Sequence, residues 1–490
     1  MENKELFLKH NILVLLLISV IGLFYILTIR EGQGWGGDFS IYIHHAKNIC
    51  EGMPYNEIGY IYNPSDFSSV PKTYPPIFPL FLAIVYKVFG LNFTAMKAEI
   101  VIFFLCSLFI IFLAFKNELT FGYILLFIAF LGFNPFFWNF KDNILSDIPF
   151  LFFIYLSILI VNKAYSLDYP RRNQAKYIIL LGMLFYFSYG IRNAGIMLIP
   201  AFFIYDWTKA KKLTFFPLKV TLVFLLFSIL EKYLLRNYDL SYFSQLKLLT
   251  FQTISANFKY YLVLFPSFIT LNYVQIKHIF LFIVTNSMVI LGYFYRIKNG
   301  IKFSEIFFLF YLILIFLWPI QQGMRFLIPL LPLYTFYMLF GVKKLYLVGK
   351  YFQKAVLAIL MISIFAIYTD IYADIFTRLK GGPITEGVNK KETVELFRYI
   401  RDKTKKDDIF IFAKPMVLSL FTGRKASTCH WTDSDRDIFD YFRKINATYI
   451  VMSFFDDDYI DSFIGRNRNS FSKAYSNSDF IVYRIILENK

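Results

Sequence analysis

Long apolar runs constrain this chain before any other feature does. Eleven of them stand near residues 11–29, 97–115, 119–134, 148–162, 177–190, 194–207, 214–235, 278–295, 303–320, 326–341 and 353–372. A membrane-crossing helix needs about 20 mostly apolar residues, and somewhat fewer when flanking side chains reach the interface. Composition agrees, because 57% of the residues are hydrophobic and only 17% are charged, against roughly 25% charged in a soluble domain. A water-soluble globule is excluded. The sequence reads as a polytopic α-helical membrane protein with about eleven transmembrane helices and a small α/β domain at its C-terminus.

Charge bookkeeping gives the expected orientation, since loops on the cytoplasmic side collect Lys and Arg. With the N-terminus cytoplasmic, the basic clusters Lys116, then Lys163, Arg171, Arg172 and Lys176, then Lys209, Lys211 and Lys212 all fall inside. So do Arg296, Lys298 and Lys302, and then Lys343, Lys344 and Lys350. A further apolar run at Ile77 to Gly90 is short and carries Lys87; were it to cross, every cluster would flip outward, so it is expected to lie in the interface or to re-enter. Three longer segments then face outward: residues 30–96, 237–277 and everything beyond about 371. The expected division is a transmembrane module over 1–372, including the outer loop 30–96 with surface helices, and an extracytoplasmic α/β domain over 373–490. That domain shows an amphipathic helix at Thr393 to Lys403 and strands at Asp408 to Ala413, Tyr449 to Phe454 and Phe480 to Ile486. The net charge of +17 is spent on topology signals between apolar runs and not on one basic face, so no nucleic-acid partner is expected.

Few residue patterns carry chemistry. Cys50, Cys106 and Cys429 lie far apart, without disulfide or zinc spacing. Neither a Walker loop nor a nucleophile elbow occurs, so ATP hydrolysis and serine acyl transfer have no support. The first outer loop opens with Gly36, Gly37 and Asp38 ahead of an amphipathic helix that ends at Gly52. Asp38 has two readings, a helix N-cap or a general base just outside the bilayer. Lys72 precedes Tyr74, Pro75 and Pro76, an outward basic residue beside the membrane, with solvated loop charge as the alternative. Asp147, after Leu145 and Ser146, could cap the next span or act as an acceptor-orienting group or metal ligand. Arg192 and Arg325 sit in outward turns, where a guanidinium either snorkels or pairs with phosphate; the scarcity of other outward basic groups favours phosphate. Tyr42, His45 and Tyr74 are candidate linings of a substrate cavity, while the adjacent His44 and His45 are not a metal motif.

Taken in order, these pieces resemble the GT-C superfamily of polyprenyl-phosphate-sugar glycosyltransferases, which includes protein O-mannosyltransferases and aminoarabinose transferases. The pieces are Gly37-Asp38, Tyr74-Pro75-Pro76 to Gly90, Leu145-Ser146-Asp147, Arg192 with Gly195, and Arg325 before Pro329 and Pro332, over about residues 10–341. The resemblance implies that Asp38 is the catalytic base in an inverting transfer to an acceptor hydroxyl. It also implies that the donor is a sugar on a polyprenyl phosphate, with Arg325, Arg192 and Lys72 receiving the phosphate. Protein O-mannosyltransferases carry an Asp-Glu pair in the first loop, whereas Asp38 is followed by Phe39, so protein mannosylation is not implied. A hexosyl- or pentosyltransferase of the cell envelope is expected, with a glycan, lipid or protein acceptor, no certain cofactor, and a divalent metal left open. Richness in Phe, Ile, Lys and Asn resembles AT-rich bacterial proteins, pointing to a bacterial inner membrane with the reaction on its outer face. The rival expectations are a flippase or transporter of lipid-linked glycans, disfavoured by the near absence of ionisable residues at mid-span, and a glycan polymerase using the 237–277 loop.

Overall fold

The protein is described from a computed structural model that covers residues 2–65, 73–166, 174–235, 246–270, 279–379, 382–429, 434–453 and 458–486. It divides into two compact units. One consists of Met1–Ile29, Lys97–Leu234 and Phe243–Gly381, the other of Arg30–Met96, Leu235–Tyr242 and Gly382–Lys490.

The first unit is helical and forms a multi-pass membrane protein. Each of the eleven expected runs overlaps a helix among the described residues. Among the described residues, six helices are long and apolar enough to cross a membrane: Lys9–Leu27, Phe93–Phe115, Phe121–Phe140, Asp147–Tyr165, Gly323–Leu347 and Lys350–Thr377. Their apolar surfaces are suited to lipid, where a helix satisfies every main-chain polar group internally. Helices Ile279–Lys298 and Leu331–Lys344 cross at glycines: a Cβ on Gly292 would overlap the Tyr337 carbonyl, and one on Gly341 would overlap that of Met288. Small residues permit such close approach, and close approach supplies the dispersion contacts that hold helices together in lipid.

One feature of this unit departs from the sequence reading, and a second adds to it. The segment 237–277, expected as an outer loop, contains a 20-residue helix, Phe251–Thr270, with Pro266 inside it. The Asn257 side chain on this helix donates to the carbonyls of Phe316 and Trp318 at 3.1 and 2.6 Å, filling acceptors that the end of Phe303–Leu317 leaves open. The basic clusters are also not simply solvated. Arg296 bridges Glu118 and Glu305 at 2.6 and 3.2 Å, and Lys302 pairs with the same Glu118.

The second unit is α/β. Six strands, β1 (Tyr60–Ile61), β2 (Ile409–Ile411), β3 (Lys425–Ser427), β4 (Tyr449–Ser453), β5 (Phe471–Ser476) and β6 (Phe480–Ile485), form one sheet in the order β1-β3-β2-β4-β6-β5. The first four positions pair in parallel, and β6 and β5 close the other edge antiparallel. The parallel pairs need crossover connections, supplied by Pro415–Thr422 between β2 and β3 and by Asp435–Ile445 between β3 and β4. The β1 strand comes from the segment 30–96, expected as the first outer loop, so the sheet spans the expected domain boundary at 372/373. Tyr60 pairs with Ala426 and Ile61 with Ser427, the Ala426 amide donates to Gly59 at 3.0 Å, and the Ser427 hydroxyl donates to Ile61 at 2.8 Å. A second seam ties the start of the loop to the chain after Gly382. Ile384 and Val388 amides donate to Glu31 and Gln33 carbonyls at 2.7 and 3.1 Å, and a Cβ on Gly387 would overlap the Gln33 carbonyl.

Candidate active site

In the helical unit the structure brings together Asp147, Arg192 and Arg325, which are widely separated in sequence. Asp147 is the first residue of helix Asp147–Tyr165 and is almost wholly buried, with its side chain 1% exposed. Arg192 occupies the break between helix Ala175–Ile191 and the tight turn Asn193–Met197, in extended backbone that redirects the chain. Gly195 makes this turn fit, since a Cβ there would lie 2.5 Å from the Ser188 carbonyl carbon. Arg325 lies in a second tight turn, Gly323–Leu330, opened by Gly323 at positive φ. Pro329, inside that turn, lacks an amide donor, and the segment runs on directly into the regular helix Leu331–Lys344.

The carboxylate of Asp147 accepts from both guanidinium groups. Arg192 Nη1 donates to Oδ1 at 2.5 Å, while Arg325 Nε and Nη2 donate to Oδ2 at 3.3 and 3.1 Å. The two arginine side chains are 18% and 28% exposed, against 1% for the carboxylate. The Arg192 guanidinium also lies over the Phe326 ring, 5.8 Å from its centroid. One buried anion therefore fixes two partly exposed cations, leaving this triad a formal charge of +1. Asp147, read from the sequence as a cap, acceptor-orienting group or metal ligand, has both oxygens on guanidinium donors here. Among the described residues no group of three or more His, Cys, Asp or Glu side chains could hold a metal ion.

In the α/β unit Asp38 is the first residue of helix Asp38–Glu51, after Gly37. Tyr74 donates its hydroxyl to Asp38 Oδ1 at 2.8 Å. Tyr42 packs its ring on those of Tyr74 and Phe78, with centroids 4.9 and 4.8 Å apart. His45 is fully buried, and both ring nitrogens are engaged by main chain: Nδ1 lies 2.7 Å from the Tyr55 carbonyl, and Nε2 accepts from the Tyr74 amide at 3.3 Å. Placed in the substrate cavity by the sequence reading, His45 has no ring nitrogen left for a ligand. Burial pushes the pKa values of His44 and His45 down to about 4 and about 3, so both rings stay neutral near neutral pH. Lys72 lies outside the described residues.

Sequence reasoning missed a further buried group in the helical unit. Lys141 lies 2.7 Å from Asp142 and 4.0 Å from the centroid of Trp138, and Lys97 approaches the other oxygen of Asp142 at 3.9 Å. The side chains of both lysines are at most 1% exposed. Lys97 near the start of the largely apolar helix Phe93–Phe115 was the available signal, because buried charge in a membrane protein needs a partner.

No protein-family model and no curated protein sequence matches the chain. Solved structures do. The archaeal oligosaccharyltransferase AglB from Archaeoglobus fulgidus, in complex with an inhibitory peptide and a dolichol-phosphate, matches with a TM-score of 0.59 at 12% identity, covering 90% of this chain and 69% of that one. ArnT from Cupriavidus metallidurans, bound to undecaprenyl phosphate, matches with a TM-score of 0.55 at 12% identity, covering 96% and 97% of the two chains. The same ArnT in the apo state gives a TM-score of 0.57. The chain therefore shares its overall fold with these solved proteins.

Proposed function

We propose that this protein is a membrane glycosyltransferase that moves a sugar from a polyprenyl-phosphate donor to an acceptor hydroxyl, with inversion at the anomeric carbon. Asp38 takes the proton from the acceptor hydroxyl as its oxygen bonds to the anomeric carbon. The bond from that carbon to the phosphate oxygen breaks, and polyprenyl phosphate departs with the electron pair. Arg192 and Arg325, aided by Lys72, receive its negative charge, and Asp147 holds the two arginines in place for it. Pre-placed cations of this kind act where charge develops, at no reorganisation cost during the reaction. The chain crosses the membrane eleven times with its N-terminus cytoplasmic, and helix Ile77–Phe89 stays in the interface.

The observation that carries this reading is the double pairing of Asp147, which orients two guanidinium forks from separate turns. A guanidinium that only snorkels has no need of a buried carboxylate. The shared fold adds support, since AglB and ArnT were each solved with a lipid phosphate. The test is turnover of a panel of polyprenyl-phosphate monosaccharides by the purified protein and by Asp38→Asn. Transfer or donor hydrolysis that vanishes in a folded Asp38→Asn variant is expected. Undiminished turnover by that variant would remove the mechanism, and no turnover or binding with any donor would favour a transporter.

A further inference from the structure

We infer that His45 is a positioning residue for Asp38, acting through Tyr74. The inference rests on the role proposed for Asp38 above. A carboxylate in the first turn of a helix can adopt several rotamers, and the Tyr74 hydroxyl at 2.8 Å favours one of them. That hydroxyl ends a stiff aromatic side chain with two torsions, so the main chain at residue 74 sets its position. Pro75 already biases residue 74 toward extended backbone. Both main-chain polar groups of Tyr74 are then held: its amide by His45 Nε2 at 3.3 Å, and its carbonyl by the Tyr55 hydroxyl at 2.8 Å. The ring of three closes through Tyr55, whose carbonyl lies 2.7 Å from His45 Nδ1 and whose side chain stacks on the imidazole at 4.0 Å and 10°.

The geometry dictates the tautomer and explains the residue type. A carbonyl only accepts, so Nδ1 carries the proton; a main-chain amide only donates, so Nε2 is bare. A neutral imidazole is the flat, stackable side chain that offers a donor on one edge and an acceptor on the next. Protonation would turn Nε2 into a donor facing another donor and release residue 74. Full burial opposes that change throughout the physiological range. Phenylalanine would satisfy a purely space-filling requirement at this position; the two hydrogen bonds are what it lacks.

The test uses the full-length protein and separates kcat from donor KM. A misplacement of about 1 Å at a reacting group costs on the order of 100-fold in rate, so His45→Phe should lower kcat by roughly tenfold or more and leave donor KM unchanged. His45→Gln, whose amide offers a neutral donor and acceptor, should restore most of kcat. Tyr74→Phe removes the bond to Asp38, and adding His45→Phe to it should cost nothing further, because two residues acting through one contact are not additive. A rise in donor KM at unchanged kcat, or losses that add in the double variant, would overturn the inference. If His45→Phe does not fold, Tyr55→Phe removes only the hydroxyl bond to the Tyr74 carbonyl; it should lower kcat in the same way, and unchanged kcat would refute the relay. Asp38→Asn keeps the two ideas apart: if it is fully active the proposed function fails, whereas an inactive Asp38→Asn beside a fully active His45→Phe removes only the role of His45.

Discussion

Replacing Asp147 with asparagine separates what the carboxylate does for the arginines from what it does for any substrate. The variant keeps the shape of the side chain but turns one of its two acceptor atoms into a donor. Arg192 approaches one oxygen with one N–H and Arg325 the other with two, so whichever faces the new amide nitrogen meets donor against donor and must move. Hydrogen bonds to charged groups contribute about 1.5–3 kcal/mol each, and breaking a buried ion pair by removing one partner costs about 3–5 kcal/mol. The lower half of that range applies, because the arginines are 18% and 28% exposed and water can solvate the displaced one. A lost guanidinium contact to phosphate, at about 1.5–3 kcal/mol, corresponds to a rise of roughly 10- to 100-fold in donor KM. Donor titrations at saturating acceptor, with thermal unfolding in detergent, measure both consequences. An unchanged donor KM together with unchanged stability would refute the anchoring argument. A fall in kcat at constant donor KM would instead restore the acceptor-orienting role that the sequence suggested.

Two further outcomes concern the α/β unit. Its stability should fall with acid, because His44 and His45 are neutral when folded down to about pH 4 and about pH 3, while the unfolded chain takes up protons near its ordinary histidine value. Above that ordinary value neither state binds these protons and their contribution is flat; below it the unfolded state binds more, at about 1.4 kcal/mol per pH unit for each ring. Unfolding followed between pH 7 and 4.5 should show this slope, and His45→Gln should remove about half of it; an identical slope in the variant would contradict it. Ala426→Pro removes the donor that holds Gly59 and should loosen the first loop from the sheet, at about 1–3 kcal/mol for the acceptor left unpaired. Limited proteolysis within residues 30–65 reads the release, and continued protection with full activity would count against it.

Much of the helical unit is legible in the sequence because lipid imposes a simple rule: apolar runs of sufficient length become helices. The Phe251–Thr270 helix escapes that rule, since Gln252, Thr253, Asn257 and Lys259 dilute its hydropathy and its polar face is satisfied by partners such as the carbonyls of Phe316 and Trp318. Asp147, Arg192 and Arg325 stand out as charged residues at span ends, and Asp38 as the one that opens the amphipathic helix Asp38–Glu51. That Asp147 collects both arginines does not show, because residues 45 and 178 positions apart meet only through tertiary packing. The Tyr60–Ile61 strand is the clearest limit. Two residues are too few to display an alternating pattern, and what makes them a strand is an edge supplied by Lys425–Ser427.

That edge has a consequence for the order of events during biosynthesis. The Ser427 hydroxyl bonds the Ile61 carbonyl across 366 positions of chain. At about 5–20 residues per second of synthesis, the loop bearing Asp38 waits roughly 20 to 70 seconds before its sheet partner exists. A ribosome that stalls after the last membrane helix leaves an inserted protein whose first loop has no platform. Under the role proposed for Asp38, activity is thereby tied to completion of the chain, since a fragment that ends there lacks the strand pairing with Tyr60–Ile61.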